Sequence, residues 1–286
     1  VSALLTLPVP GVTLDDVRRV THMMQIERGA PTFDLNPIRN HLDQMKGGRL
    51  SRRIQPARAI HIVTYDANRA PHEELKGYPQ LMYRNRWLHN LPDCTTFAEA
   101  VNMLHKWHAW DDAPESVKAH LTRADPAAET VKADEFERWD YRIFGIMPRH
   151  LAALPTARKK AAELGFAPHT LSTWLQAEAS HASPVVACIA SSIERDGVPF
   201  EPPCALLTTG ELLVTVGAET GVGGRNQEYA LAAASKIAGS ENIIFGAVDT
   251  DGTDGPGGFM ENDLGISCLA GGIVDGHTLA EARSAG

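Results

Sequence analysis

Two glycine-rich loops carry the residue types best suited to chemistry. In the first, residues 221–228, three glycines fall within four residues and an alanine-rich run follows. Such glycines would leave backbone amides uncovered at the start of a helix, where the helix dipole favours an anion. Arg225 lies in the same turn, although a cation there opposes the dipole. The pattern predicts an anionic ligand between the Arg225 guanidinium and the amides of Gly223 and Gly224. The alternative is a plain turn with Arg225 in water.

The second loop, residues 249–258, follows an apolar run that is typical of a strand. Ligands of open α/β sheets bind beyond the carboxyl ends of strands, where this loop would lie. Asp249, Asp251 and Asp254 fall within six residues, and their carboxylates would repel one another unless a cation or hydrogen-bond donors intervene. This spacing predicts a Mg²⁺ site. The alternative is a polar turn, in which aspartate is common for its local hydrogen bonds.

Composition excludes several classes of protein. The 286 residues are 43% hydrophobic and 22% charged, as in soluble globular proteins, and the chain is long enough for one large or two ordinary domains. The net charge of −8 and the scattered basic residues give no nucleic-acid-binding face. No apolar run reaches about 18 residues, which predicts no membrane span. Four widely spaced cysteines indicate reduced thiols and a cytoplasmic protein.

Near the amino end, two helices are predicted to position basic side chains. Thr13 and Asp16 form a capping-box pattern that should open a helix running to about Arg28. Asp34 should cap a second helix that ends at residues 47–48, both glycine. On that helix Arg39 and Lys46 would be two turns apart and share a face, with His41 to one side.

The remaining sequence alternates between strand and helix patterns, which predicts parallel sheets covered on both faces. The predicted strands are residues 59–65, 141–145, 169–175, 205–208, 212–216 and 243–248. The predicted helices are residues 95–107, 113–122, 149–164, 183–195 and 229–238. A turn-rich link at residues 196–203 predicts a boundary between a domain at 1–199 and another at 200–286.

Other motif families fit poorly. An EF-hand loop that began at Asp249 would need glutamate where Met260 stands. A dinucleotide fingerprint would place glycine or alanine where Asn226 stands. The phosphate-loop motif of nucleoside triphosphatases does not occur in the sequence. The Asp249 loop shares the start of the dehalogenase-type phosphatase motif, but too little chain follows it for the later motifs of that family.

The two loops resemble motifs of the glycerate 2-kinases of the MOFRL type, whose members are often labelled hydroxypyruvate reductases. The resemblance rests on the motifs at residues 223–228, 249–256 and 270–276, and further likeness occurs at residues 2–5, 36–42 and 46–50. It implies an α/β fold with a larger, doubly wound, Rossmann-like amino-terminal domain and a smaller α/β carboxy-terminal domain. ATP and D-glycerate would meet in the cleft between them. It also implies a segment lacking both ends of the family pattern, and a homodimer as one expected assembly.

The resemblance further implies transfer of the ATP γ-phosphoryl group to the 2-hydroxyl of glycerate or a similar small hydroxy acid. The negatively charged phosphates would be bound by Arg225 and by the amides of Gly223 and Gly224, and Asn226 and Gln227 would bind the nucleotide. Asp249 and Asp251 would hold Mg²⁺, and Asp254 would join them or orient the hydroxyl as a base. The substrate carboxylate or the phosphates would be bound by Arg39, Lys46 and His41.

Two alternatives stay open. The first is an NAD(P)-dependent hydroxypyruvate reductase, against which the missing dinucleotide fingerprint argues. The second is an inactive homologue that binds a small anion, because the segments at residues 64–92 and 145–150 depart from the family pattern.

Overall fold

Helices and short strands alternate along the chain, which confirms the predicted α/β class. The structure is a computed structural model that describes residues 5–63, 82–145, 153–216, 223–250, 252, 254–255 and 270–285. The helices are α1 (Leu14–His22), α2 (Thr32–His41), α3 (Arg49–Arg53), α4 (Phe97–Lys106), α5 (Glu115–Arg123), α6 (Ala133–Phe136), α7 (Ala153–Glu163), α8 (Ala179–Asp196), α9 (Arg225–Ile237) and α10 (Thr278–Ala285). The strands are β1 (Ala59–Val63), β2 (Tyr141–Gly145), β3 (Ala167–Leu175), β4 (Cys204–Gly210), β5 (Phe245–Val248) and β6 (Gly271–Val274).

The described strands pair in three two-stranded sheets. β1 pairs with β2 in parallel, with Ala59 opposite Tyr141, and β3 pairs with β4 in parallel. Parallel neighbours need a crossover connection, which the helices between the paired strands supply. β5 and β6 are antiparallel instead, so the parallel prediction is confirmed for two of the three described sheets.

Packing divides the chain into two compact units. They comprise Val1–Tyr65, Pro71–Ile146 and Thr215–Gly217 in the first, and Asp66–Ala70, Met147–Val214 and Ala218–Gly286 in the second. The segment before residue 199 joins the second unit because β3 pairs with β4 and α8 packs against α9. The sequence boundary between residues 199 and 200 therefore lies inside one unit of packing, and as a domain boundary it stays a prediction.

The core of the first unit is formed by apolar faces of its helices and by one face of the sheet that contains β1 and β2. Burial alternates along β1, and the side chain of His61 points inward whereas Ile60 and Ile62 are each 65% exposed. The prediction of a strand buried on both faces is thus wrong for the described residues. Among these residues, no helix combines the length and apolarity that crossing a membrane requires.

The capping box at the start of α1 is confirmed. The Thr13 hydroxyl oxygen accepts a hydrogen bond from the Asp16 amide at 3.1 Å, and the Asp16 carboxylate accepts one from the Thr13 amide at 2.9 Å. These bonds satisfy amides that a helix start leaves without partners, which fixes the first helical residue at Leu14.

The second helix differs from its prediction. α2 begins at Thr32, and the Asp34 carboxylate accepts hydrogen bonds from Lys106 Nζ at 2.6 Å and Trp107 Nε1 at 3.0 Å instead of capping the helix. The helix ends at His41, so Lys46 lies beyond it and shares no helix face with Arg39.

The predicted strand at residues 212–216 is also wrong, because its one ladder contact is an isolated bridge between Leu213 and Glu178.

Two glycines form the turn between α2 and α3. Gly47 and Gly48 both have positive φ, at 59° and 76°. The Gly48 amide donates to the carbonyl of His89 at 2.8 Å, and the Gly47 carbonyl accepts from the Val131 amide at 2.9 Å. A side chain at Gly48 would come within 2.7 Å of the Val131 Cβ atom. Glycine is therefore required both by backbone conformation and by close packing.

We expect Gly48→Ala to lower the free energy of unfolding by about 2–4 kcal/mol, because left-handed strain and overpacking add. Gly11→Ala is the matched control, since Gly11 has a φ of 87° but no atom within 4 Å of the added Cβ. The control should lose about 1 kcal/mol from strain alone. Equal losses in urea unfolding would contradict the packing argument.

Candidate active site

The two predicted loops meet within the second unit, and glycine permits it. A Cβ atom on Gly224 would collide with the Gly255 amide nitrogen and lie 2.6 Å from the Asp254 Cγ atom. One on Gly255 would lie 2.8 Å from the carbonyl carbon of Gly223. The loops therefore pack backbone against backbone, which residues with side chains could not do. Asp251 lies outside the described residues.

Asp254 caps α9. Its Oδ1 atom accepts a hydrogen bond from the Asn226 amide at 3.0 Å, and its Oδ2 atom accepts one from the Gln227 amide at 2.8 Å. The residue is 2% exposed. The sequence predicted an external anion at the start of this helix, and the structure places a carboxylate of the chain itself at two of its amides. A buried carboxylate there satisfies free amides and complements the helix dipole. An external anion at the amides of Gly223 and Gly224 stays a prediction.

Arg225 is held by two carboxylates. Its Nε and Nη2 atoms lie 3.2 and 3.1 Å from Asp249 Oδ2, and its Nη1 atom lies 3.1 Å from Glu211 Oε1. Burial alone would lower the pKa of Arg225, but the charges of Asp249 and Glu211 outweigh burial and raise it. A cation is thus tolerated in the first turn because internal anions pair with it. The side chain remains 34% exposed and can still reach a ligand.

Asn226 joins the two acidic residues of the loop. Its Nδ2 atom donates to Asp249 Oδ2 and to Asp254 Oδ1, each at 3.2 Å. The Gln227 side chain also binds the loop, since its Nε2 atom lies 3.4 Å from the Asp254 carbonyl oxygen. Both side chains therefore position the carboxylates, and nucleotide binding by Asn226 and Gln227 stays a prediction.

Asp249 and Asp254 provide ligands of the kind and number that Mg²⁺ sites in proteins use. Mg²⁺ prefers oxygen ligands and is commonly held by one or two carboxylates together with substrate phosphates. Asn226 keeps this pair of carboxylates close together. In the part of the chain that the structure describes, no group of three His, Cys, Asp or Glu side chains is arranged to hold a metal. A site built from this pair would therefore need ligands from the substrate.

A second set of predicted residues lies in the first unit. Lys46 is buried, its Nζ atom lies 3.2 Å from Asp43 Oδ2, and it donates a hydrogen bond to the Leu5 carbonyl. Burial lowers the pKa of Lys46, and the charge of Asp43 opposes that effect. Burial also lowers the pKa of Arg39, again opposed by Asp43. Lys46 is thus neutralised by a close carboxylate, whereas Arg39 has no hydrogen bond or ion pair within the described ranges.

The prediction that His41 binds a ligand does not fit its environment. The ring is 0% exposed, with Nδ1 2.7 Å from the Pro37 carbonyl oxygen and Nε2 2.8 Å from Glu129 Oε1. Both ring nitrogens are thus occupied by partners within the protein. His41 therefore has a structural role in the interior, where it joins Pro37 to Glu129.

His89 and Glu211 were missed by the sequence analysis. His89 is buried beside the first-unit cations, and its Nδ1 atom has no hydrogen-bond partner within the described residues. Burial, followed by the charges of Lys46 and Arg39, lowers the pKa of His89 to about 3, so the ring is neutral. It falls in a segment without sequence periodicity, which left no signal for its position. Glu211 directly follows β4, so its place at a strand end was the available signal.

Comparison with known families finds two matches. Residues 1–122 match a domain of unknown function, DUF4147, and residues 204–286 match the MOFRL family. The chain is 34% identical to a glycerate 2-kinase of Pyrococcus horikoshii and 31% identical to a D-glycerate 2-kinase of Thermotoga maritima. It is 32% identical to a putative hydroxypyruvate reductase of Agrobacterium vitis. Each alignment covers 100% of this chain and 59%, 60% and 58% of the respective relatives.

Two crystal structures are also similar. A glycerate kinase from Thermotoga maritima aligns with a TM-score of 0.62 at 31% identity, covering 99% of this chain and 60% of that protein. A protein from Pyrococcus horikoshii aligns with a TM-score of 0.53 at 31% identity, covering 99% of this chain and 59% of that one. The chain thus spans about three fifths of the length of these relatives.

We expect Asp254→Ala to lower the free energy of unfolding by about 1–3 kcal/mol, because it removes a buried cap and leaves amides unpaired. Asp275→Ala is the matched control, since Asp275 accepts hydrogen bonds from the His277 and Thr278 amides at the start of α10 but is exposed. It should cost less, about 0.5–1 kcal/mol. Chemical denaturation measures both, and a larger loss for Asp275→Ala would contradict the role of Asp254.

Glu129 should make stability depend on pH in acid. Burial alone would raise its pKa, but the hydrogen bond and charge of His41, with the charge of Lys132, lower it to about 2 from the usual 4.5. A depressed folded-state pKa contributes stability that is present above pH 4.5 and is lost as the pH falls towards 2, by up to about 3 kcal/mol.

The variant Glu129→Gln should be less stable than the parent at neutral pH and should show a flatter dependence between pH 4.5 and 2. Urea unfolding at a series of pH values measures this, with Glu241→Gln as a control at an exposed position. If the free energies of unfolding of the parent and of Glu129→Gln changed in parallel with pH, the pairing of Glu129 with His41 would add no stability.

Proposed function

We propose, because the chain belongs to the glycerate 2-kinase family of the MOFRL type, that the complete protein transfers the γ-phosphoryl group of ATP to the 2-hydroxyl group of D-glycerate. The observation that carries this proposal is the contact of Arg225 with Asp249 at the carboxyl end of β5, together with the hydrogen bonds by which Asn226 joins Asp249 to Asp254. The names of the related kinases from Pyrococcus horikoshii and Thermotoga maritima support it.

Phosphoryl transfer needs little covalent chemistry from the protein. It depends on positioning the reactants and on neutralising the charge of the phosphates. Arg225 remains positively charged and a third exposed, so it can bind a phosphate oxygen. Next to it, a Cβ atom on Gly223 would meet no described atom within 4 Å, so there is room for an anion to approach the backbone.

Asp249 and Asp254 are the residues that would hold Mg²⁺, which when bound supplies charge neutralisation at the phosphates. Asp249 has a second role, because its Oδ2 atom orients the Arg225 guanidinium through two nitrogens. Asp254 is tied to backbone amides at both oxygens, so it holds the loop against α9 more than it accepts a proton. We therefore do not assign Asp254 the role of the base.

In the first unit, Arg39 is the residue to which we assign the carboxylate of the hydroxy acid. Its guanidinium is partly buried and, among the described residues, has no bonded carboxylate, so a substrate anion could bind it without displacing one. Lys46 is already paired with Asp43, so we assign it no direct contact with the substrate. His41 takes no part in binding.

ATP, Mg²⁺, a cytoplasmic location and a homodimer remain predictions of the same proposal. A reductase is the alternative activity, because relatives from Agrobacterium vitis carry the name putative hydroxypyruvate reductase. Neither nucleic acid nor membrane is an expected partner.

The test is formation of ADP from ATP and D-glycerate with the chain and with its variants. Arg225→Ala should lower kcat/KM by more than tenfold, which is about 1.4 kcal/mol of transition-state stabilisation. The matched control is Arg195→Ala, because Arg195 is exposed and pairs with Asp196 at the end of α8. A loss below tenfold would remove Arg225 from the catalytic residues. NADH oxidation driven by hydroxypyruvate, without ADP formation, would replace the kinase with the reductase.

A further inference from the structure

A cavity in the first unit collects arginine side chains that the proposed reaction does not use. Its volume is about 550 Å³, and its lining includes Arg49, Arg52, Arg53 and Arg123. Asp125 is the acidic residue of this lining. The cavity size falls within the range of small-molecule sites.

The pairing of these arginines leaves positive charge in the lining. Arg52 forms a two-pronged ion pair with Glu135, at 2.7 and 2.6 Å, so its charge is balanced. Arg53 donates instead to the neutral side chain of Gln44 at 2.8 Å. Arg123 lies 3.4 Å from the Nδ1 atom of His120, and neither Arg53 nor Arg123 forms an ion pair with any described carboxylate.

Arg49 adds a third cation without a bonded carboxylate. It is buried and donates hydrogen bonds to the backbone carbonyls of Asn40, Asp43 and Ala128. Burial, together with the nearby charge of Arg52, lowers the pKa of Arg49 to about 10, and more distant carboxylates oppose this in part. Burying a cation among neutral groups is unfavourable, and a bound anion would offset part of that cost.

We propose that this cavity binds a small phosphate-bearing polyanion through Arg53 and Arg123. Planar guanidinium groups match phosphate oxygens with paired hydrogen bonds, and the volume of the cavity is sufficient for a ligand with two phosphate groups. Asp125 offsets only part of this charge, because the lining holds four arginines and this one acidic residue, whose carboxylate accepts from the Ala127 amide at 2.9 Å and forms no ion pair within the described residues.

None of Arg39, Lys46 and Arg225 lines this cavity. Arg49 and Arg53 belong to α3, which precedes β1, whereas substrates of parallel α/β sheets bind beyond the carboxyl ends of the strands. The ligand is therefore an effector and not the substrate of the proposed reaction, and its binding does not depend on Arg225 or Arg39.

The experiment is calorimetric titration of the whole chain with inorganic pyrophosphate at low ionic strength. We expect binding that weakens at least tenfold in the double variant Arg53→Gln/Arg123→Gln. Both residues are exposed, so the variant should fold, as thermal unfolding will verify. Arg18→Gln/Arg58→Gln is the matched control, because it removes the same charge from exposed positions outside the cavity and should bind as the parent does.

Equal weakening in the two double variants would reduce the effect to net charge and overturn the proposal, as would absence of binding at millimolar pyrophosphate. Loss of binding in Arg225→Gln or Arg39→Gln, with binding retained in Arg53→Gln/Arg123→Gln, would move the anion to the proposed catalytic residues. A failed kinase assay leaves these outcomes unchanged, so the two proposals are tested independently.

Discussion

The buried carboxylate of Asp254 joins the two chemical loops of the second unit. It lies at the start of α9, where it accepts from the amides of Asn226 and Gln227, and its position requires glycine at residues 224 and 255. Asn226 then returns hydrogen bonds to Asp249 and Asp254, and Asp249 holds Arg225. The contacts thus form a series, in which Asn226 orients Asp249 and Asp249 orients Arg225. Without the cap, both loops would lose the contact that places them together.

Electrostatic pairing separates the cations of this chain into two groups. Arg225 and Lys46 are bonded to carboxylates of the chain, which keep them charged and oriented in partly or fully buried positions. Arg39, Arg53 and Arg123 have no bonded carboxylate within the described residues. Guanidinium groups of the second kind are the ones that an incoming anion can bind without first breaking an ion pair. Location in the chain does not reveal this difference, since Arg39 and Lys46 fall in neighbouring motifs.

The sequence predicted local features well and long-range partners poorly. The capping box of Thr13 and Asp16 depends on four consecutive residues, and its prediction is confirmed. The loop at Asp249 was correctly placed after a strand. His41 was assigned to ligand binding, yet its partner Glu129 lies 88 residues away, and no local pattern could indicate that pair. The end of α2 at His41, which removed Lys46 from the expected helix face, likewise depends on tertiary contacts.

By itself, the sequence determined the α/β class, the family resemblance and the two loops in which chemistry is expected. These properties follow from the order of polar, apolar and glycine residues along short stretches, which fixes local backbone preference. The tertiary structure alone decided that Asp254 is a helix cap, that Arg225 is paired and that Arg53 and Arg123 are not. Such assignments depend on which distant groups come within hydrogen-bonding distance, and burial then makes each pairing, or its lack, energetically large.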